Sequence, residues 1–212
     1  MQSDRTYLPA AGHDLFLPIY DPFTRIFGFD SARRRLIDQA ALQTHHRVLD
    51  VGCGTGTLAI QIKRRHPTID VVGVDPDPRA LARAQRKAER AGVTVRFERG
   101  FAGALIYRDA SFDRVFSSMM FHHLEDGDKE NALGEIRRVL KPGGRLELLD
   151  FARAGTHGHG LLGRLVHSHH QLRDNSDRRI LDLMAAARFV NPKRVGAQAT
   201  LFGRIAFFTA GS

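Results

Sequence analysis

The chain has 212 residues, 42% of them apolar, with 32 Lys+Arg against 23 Asp+Glu for a formal charge of +9. That is the length of one large domain and the balance of a globular protein, which excludes a disordered tail. A single cysteine, Cys53, excludes an internal disulfide and any cysteine-built zinc site, and the absence of an apolar run near about 18 residues or of a signal-peptide core predicts a cytoplasmic protein.

Residues 14–43 read as two short helices: Leu15–Phe27, interrupted by Pro18 and Pro22, and Ser31–Leu42, behind Asp30 or Ser31 as N-cap. From Arg47 short apolar runs alternate with amphipathic stretches. The runs Arg47–Val51, Asp70–Val74, Thr94–Glu98, Arg114–Ser118 and Arg145–Asp150 predict strands; Leu58–Arg65, Pro78–Ala91 and Asp128–Leu140 predict helices between them. The breaker Lys141-Pro142-Gly143-Gly144 should stop the last of these helices. A Gly/His-rich loop follows, then a helix over Asp177–Ala187 and the strands Lys193–Gln198 and Phe202–Thr209. Such alternation implies an α/β fold with a parallel sheet and helices on both faces, and a ligand beyond the carboxyl ends of the strands.

The first strand runs into Asp50-Val51-Gly52-Cys53-Gly54-Thr55-Gly56-Thr57. Alternate glycines let the backbone turn tightly and approach a ligand without a Cβ in the way. The next helix then offers its free N–H groups to a negative ligand group. A dinucleotide fingerprint starting at Gly52 would need glycine where Thr57 stands, and no Gly-Lys-Ser/Thr follows to make a phosphate loop. The second strand ends at Asp75-Pro76, and an acid at that place suits the two hydroxyls of a ribose.

Five segments in this order, Val48–Ala59 (VLDVGCGTGTLA), Val71–Asp77 (VVGVDPD), Ser111–Val115 (SFDRV), His122-His123-Leu124 and Arg138–Asp150 (RVLKPGGRLELLD), resemble class I S-adenosylmethionine-dependent methyltransferases, in particular the branch with the ubiquinone/menaquinone C-methyltransferases. The resemblance implies a Rossmann-like, seven-stranded, mostly parallel sheet with an antiparallel C-terminal strand. It divides the chain into an N-terminal helical lid (1–44) and a methyltransferase domain (45–212), with 152–176 as a substrate-covering insertion. It implies S-adenosylmethionine as cofactor and S-adenosylhomocysteine as product. Asp50 and the loop Gly52, Cys53, Gly54 and Gly56 would hold the methionine part, Asp75 the ribose, and Pro76 would touch the adenine. Gly100, Phe101 and Ala102 would flank the adenine where many relatives carry an acid, Ser117 would floor the sulfonium, and Tyr20, beside Asp21, would fold over the cofactor as a lid.

Methyl transfer from a sulfonium needs alignment first, and a base only when the acceptor carries a proton to remove. His122 and His123, after the fourth strand, are the candidate catalytic bases. The alternative for them is packing under the cofactor and capping the helix that starts near Asp126. The expected acceptor is a small molecule attacking through carbon, oxygen or nitrogen. Residues 151–212 hold nine basic and three acidic side chains, which fits an anionic substrate or a membrane surface, and keeps a peripheral phospholipid-headgroup N-methyltransferase and a catalytically silent cofactor-binding protein as alternatives. Nucleic acid is disfavoured: no stacking aromatics accompany the charge, and Ser117-Ser118-Met119-Met120 stands where base methyltransferases carry Asp/Asn-Pro-Pro-aromatic. His157-x-His159 and His167-x-His169-His170 could ligate a transition metal but lack cysteine or acidic companions, so no metal is expected.

Overall fold

The computed structural model of the chain describes residues 29–151, 176–200 and 203–212. Tyr20, the helix expected over Leu15–Phe27, residues 152–175 of the expected insertion and its five histidines lie outside the described residues. In chain order the elements are α1 (Phe29–Gln39), β1 (Arg47–Val51), α2 (Thr57–Arg65), β2 (Asp70–Asp75), α3 (Pro78–Arg90), β3 (Arg96–Arg99), β4 (Phe112–Ser118), α4 (Asp126–Val139), β5 (Leu140–Phe151), α5 (Asp177–Ala186), β6 (Val190–Thr200) and β7 (Gly203–Gly211). The seven strands form one sheet in the order β3-β2-β1-β4-β5-β7-β6, in which β7 alone runs against its neighbours.

Strand alternation divides the apolar side chains between two faces. Val48, Val71, Phe116, Leu149 and Phe207 meet α1 and α2 on one side; Leu49, Val72, Val115, Leu148 and Phe208 meet α4 and α5 on the other. Helix α3 closes tightly because its buried stripe is Ala80, Ala84 and Ala88. Its start is fixed by Asp77, whose carboxylate accepts the Arg79 N–H at 2.8 Å, with Pro78 in the first turn.

One expectation needs correction. Lys141–Gly144 ends α4 but does not delay the strand. Pairing begins at Leu140 opposite Phe112, slips, and resumes at Arg145 opposite Arg114, so the four residues form a bulge within β5. Gly143 supplies a left-handed turn at φ +75°, and Lys141 Nζ grips both oxygens of Asp113 at 2.9 and 2.8 Å.

The register positions the site. Val51 lies opposite Val74 on one side and Ser117 on the other, so the next residues, Gly52, Asp75 and Ser118, emerge together at the carboxyl edge. Strand order reverses between β1 and β4, which opens the crevice there.

Candidate active site

The turn from β1 to α2 is held by Val74, whose carbonyl accepts the N–H groups of Gly52 (2.8 Å) and Cys53 (3.0 Å). Gly52, Gly54 and Gly56 all take positive φ. Gly56, at φ +72°, is the clearest requirement: a Cβ there would sit 2.7 Å from Phe97 Cζ and 2.8 Å from Ala84 Cβ. Gly56→Ala is expected to cost about 2–4 kcal/mol, combining left-handed strain with overpacking. Thermal denaturation checks this; an unchanged midpoint would mean that α2 and α3 move apart freely.

Around this loop Arg33, Asp50, Gly52, Asp75, Ser118 and His123 face one cleft, with Cys53, Gly54 and Met120 completing its wall. Asp50 is 1% exposed, and its Oδ2 has no hydrogen-bond partner. Burial pushes its carboxyl up to about 7, opposed by the Ala59 N–H, reinforced by the charge of Asp75 and eased by that of Arg33. Asp75 bridges the two strand ends. Its Oδ2 accepts the Gly54 N–H at 2.8 Å and its Oδ1 accepts the Asp77 N–H at 3.0 Å. Burial raises its pKa while those two N–H groups hold it back. Each oxygen keeps a further lone pair for a ligand hydroxyl. Lys87 on α3 braces the loop from behind, donating to Thr55 Oγ1 (3.2 Å) and Thr57 Oγ1 (2.7 Å).

After β4 a single turn, Phe121–His123, carries the histidine pair. His122 Nδ1 lies 2.6 Å from Asp150 Oδ1. A carboxylate only accepts, so Nδ1 donates, and in the neutral imidazole Nε2 is then the acceptor. The fully buried Asp150 also accepts the N–H groups of His122 (3.2 Å) and Phe151 (2.7 Å). His123 stacks on His122 with ring centroids 4.0 Å apart. Burial, and behind it the neighbouring His122, push His123 down to about 4, so its ring is neutral near pH 7.

Asp50, Gly52, Cys53, Gly54, Asp75 and His123 thus come together, and the other described candidates do not line the cleft. Gly56 packs against Phe97, and Ser117 is fully buried with its hydroxyl unpaired while Ser118 reaches the cleft in its place. Pro76 offers its carbonyl to Arg99 at 3.2 Å, and Gly100 donates to the Asp75 carbonyl at 3.2 Å. Phe101 bridges to Ala104, and Ala102 packs on the core. Burial pushes the Cys53 thiol well up, as for a small apolar side chain. Two charged residues were missed in the sequence, Arg33 and Asp150. Arg33 had a readable signal, since it falls on the apolar stripe Phe29, Ala32, Leu36, Ile37 of α1.

S-adenosylmethionine fits the groups present. Asp50 has an orphaned acceptor for its ammonium, Asp75 has spare acceptors for its ribose, and a Cβ on Gly54 would project into open space where the backbone can approach a ligand.

Comparison with known proteins agrees. A model of the methyltransferase domain matches residues 48–144. The chain is 42% identical over 151 residues to a demethylmenaquinone methyltransferase of Thermus thermophilus, covering 70% of this chain and 68% of that one. It is 41% identical over 155 residues to another of Deinococcus radiodurans, covering 72% and 64%. The crystal structure of the YcgJ protein of Bacillus subtilis shares the fold, with a TM-score of 0.69 at 21% identity over 86% of this chain and 98% of that one. The chain therefore belongs to the class I S-adenosylmethionine-dependent methyltransferases, with S-adenosylmethionine as cofactor and S-adenosylhomocysteine as product. Within that class it falls in the ubiquinone/menaquinone branch, whose members methylate small molecules. Among the described residues no helix is long and apolar enough to cross a membrane.

Proposed function

We propose that this chain methylates a ring carbon of a hydroxylated aromatic acceptor of the quinol class, with His122 as the base. The observation that carries this reading is the His122–Asp150 pair, whose imidazole stacks on His123, a residue that lines the cleft. The names of the two relatives support the quinol class.

When bound, S-adenosylmethionine supplies a methyl carbon activated by the adjoining sulfonium. Asp50 and Asp75 orient it from its two ends. Asp150 holds His122 with Nε2 free to take the proton of the acceptor's hydroxyl. The electron pair released into the ring makes the adjacent carbon nucleophilic. That carbon bonds to the methyl group as the carbon–sulfur bond breaks, its pair remaining on sulfur. Solvent water then takes the ring proton from the same carbon, which restores aromaticity, and His122 returns its proton to the ring oxygen. Incubation with S-adenosylmethionine and 1,4-naphthohydroquinone, followed by mass spectrometry and NMR, should give a ring-methylated product only while the ring is kept reduced. An aryl methyl ether would replace carbon transfer by oxygen transfer, and no product from any phenol or quinol would remove the reading.

The Asp50 carboxyl sets a pH dependence. Pairing with the cofactor's ammonium requires the ionised form, so binding should tighten roughly ten- to thirtyfold between about pH 5.5 and 7.5, with proton release in the lower range. Calorimetry in buffers of different ionisation enthalpy reads both; flat affinity across that range would detach Asp50 from the ligand. In the ligand-free protein the sign is opposite. The folded form keeps a proton that the unfolded chain gives up, so this contribution to stability is full below about pH 4 and is lost as pH rises through about 7.

A further inference from the structure

The helices divide the charge of the protein unequally between the two faces of the sheet. Helices α1, α2 and α3 lie side by side on one face and together carry eleven basic and three acidic side chains. On the other face α4 and α5 carry five basic and six acidic. Pairing sharpens the contrast. Arg138 is tied to Glu135 and Asp109, Arg179 and Lys129 to Asp126, and Arg178 to Asp182. Arg137, the fifth cation there, donates to the Arg188 carbonyl. Among the described residues no carboxylate pairs with Arg34 of α1, Arg64 of α2, or Arg83, Arg86 and Arg90 of α3. Four of these five are exposed and Arg83 is half-buried. On α3 the row Arg79, Arg83, Arg86, Arg90 recurs every three or four residues. One side of that helix is thus lined with arginine over about 16 Å. Like charges held on one rigid layer repel each other, and an extended array of anions relieves the repulsion.

We propose that the face formed by α1, α2 and α3 docks on an anionic lipid surface. Helices packed side by side present a broad face, which suits a bilayer better than a nucleic-acid strand. Phe29, the sole aromatic residue of the three helices, is buried, so there is no platform on which bases could stack. The exposed large apolar side chains among the described residues, Ile106, Val190 and Val195, all stand elsewhere. The face therefore lies on the headgroups and does not insert. Ala80, in the first turn of α3, lines the cleft, which puts the Arg79 end of the row at the cleft's rim. Docking by this face lays the cleft beside the headgroups, next to any apolar acceptor dissolved in the hydrocarbon. The face is defined by its charge alone, and it stands whether or not the acceptor is a quinol.

Co-sedimentation of the full chain with extruded vesicles tests this. At low salt the wild-type protein should bind vesicles of phosphatidylcholine containing about a third phosphatidylglycerol, leave pure phosphatidylcholine unbound, and dissociate as salt rises to about 0.5 M. Each basic residue at such a surface contributes about fivefold in partitioning, so Arg83→Gln, Arg86→Gln and Arg90→Gln combined should weaken binding roughly 100-fold. The same loss of charge placed elsewhere, Arg108→Gln, Arg178→Gln and Arg188→Gln combined, should weaken it by less than about threefold. Both triple variants should keep the wild-type affinity for S-adenosylmethionine, which shows an intact fold. No binding of the wild type to the anionic vesicles at low salt overturns the proposal, and so does an α3 triple variant that binds as the wild type does. An equal loss in the two triple variants also overturns it, since net charge rather than this face would then be responsible. Displacement from the vesicles by single-stranded RNA at equal phosphate concentration overturns it as well, and gives the face to nucleic acid. None of these outcomes bears on ring methylation, so the acceptor reading stands or falls by its own assay.

Discussion

Asp75→Ala is expected to weaken S-adenosylmethionine binding by at least about 100-fold. Two losses combine. The ribose hydroxyls lose their charged acceptor, and hydrogen bonds to a charged group contribute about 1.5–3 kcal/mol each. The Gly54 and Asp77 N–H groups also lose the carboxylate that joins them at 2.8 and 3.0 Å, so the glycine turn and the start of α3 are no longer tied to one another. Asp75→Asn keeps one oxygen and should fall between the two. Calorimetry gives the affinity, and far-ultraviolet circular dichroism checks that the sheet persists. An alanine variant that binds within a factor of a few of the wild type would take Asp75 out of ribose recognition.

The second large effect is expected at Asp150. Both of its oxygens accept: Oδ1 from His122 Nδ1 and the Phe151 N–H, Oδ2 from the His122 N–H. In Asp150→Asn one of those places becomes an NH2 group. Facing His122 Nδ1, it forces the opposite tautomer and puts a proton on Nε2; facing the His122 N–H, it sets donor against donor and loosens the turn. The first orientation would remove the proposed base and the second would misplace it, so kcat should fall by about 100- to 10,000-fold while cofactor affinity stays near its original value. His122→Ala should match it in kcat, and the two together should cost little more than either, as expected of groups acting as a unit. A purely structural pair would instead weaken cofactor binding in step with turnover and leave the shape of the pH–rate profile unchanged.

The alternation from Arg47 onward was legible because each strand is a short apolar run closed by a turn signal, and the glycine loop and Asp75 follow strands whose ends the register places side by side. Less local features were not. Arg33 stands in Arg33-Arg34-Arg35, where only helical phase separates the inward arginine from its exposed neighbours. Asp150 closes a recognised segment, but its meeting with His122 depends on β4 and β5 pairing Ser117 with Leu148. Ser118 rather than Ser117 reaches the cleft because successive strand side chains leave on opposite sides, and a shift of one residue reverses the assignment. The bulge at Lys141–Gly144 carries the same residues as a helix stop, and its further role comes from Asp113 on another strand.

The proton that His123 declines has a meaning for rate. A surrounding that holds an imidazole uncharged down to about pH 4 disfavours a charge on that ring. Methyl transfer discharges a cation, and where water is scarce the departing charge forfeits less solvation than it would in bulk, so the reaction coordinate runs downhill in polarity. The lack of charge on the stacked ring spares a bound sulfonium a repulsive neighbour at the cleft wall.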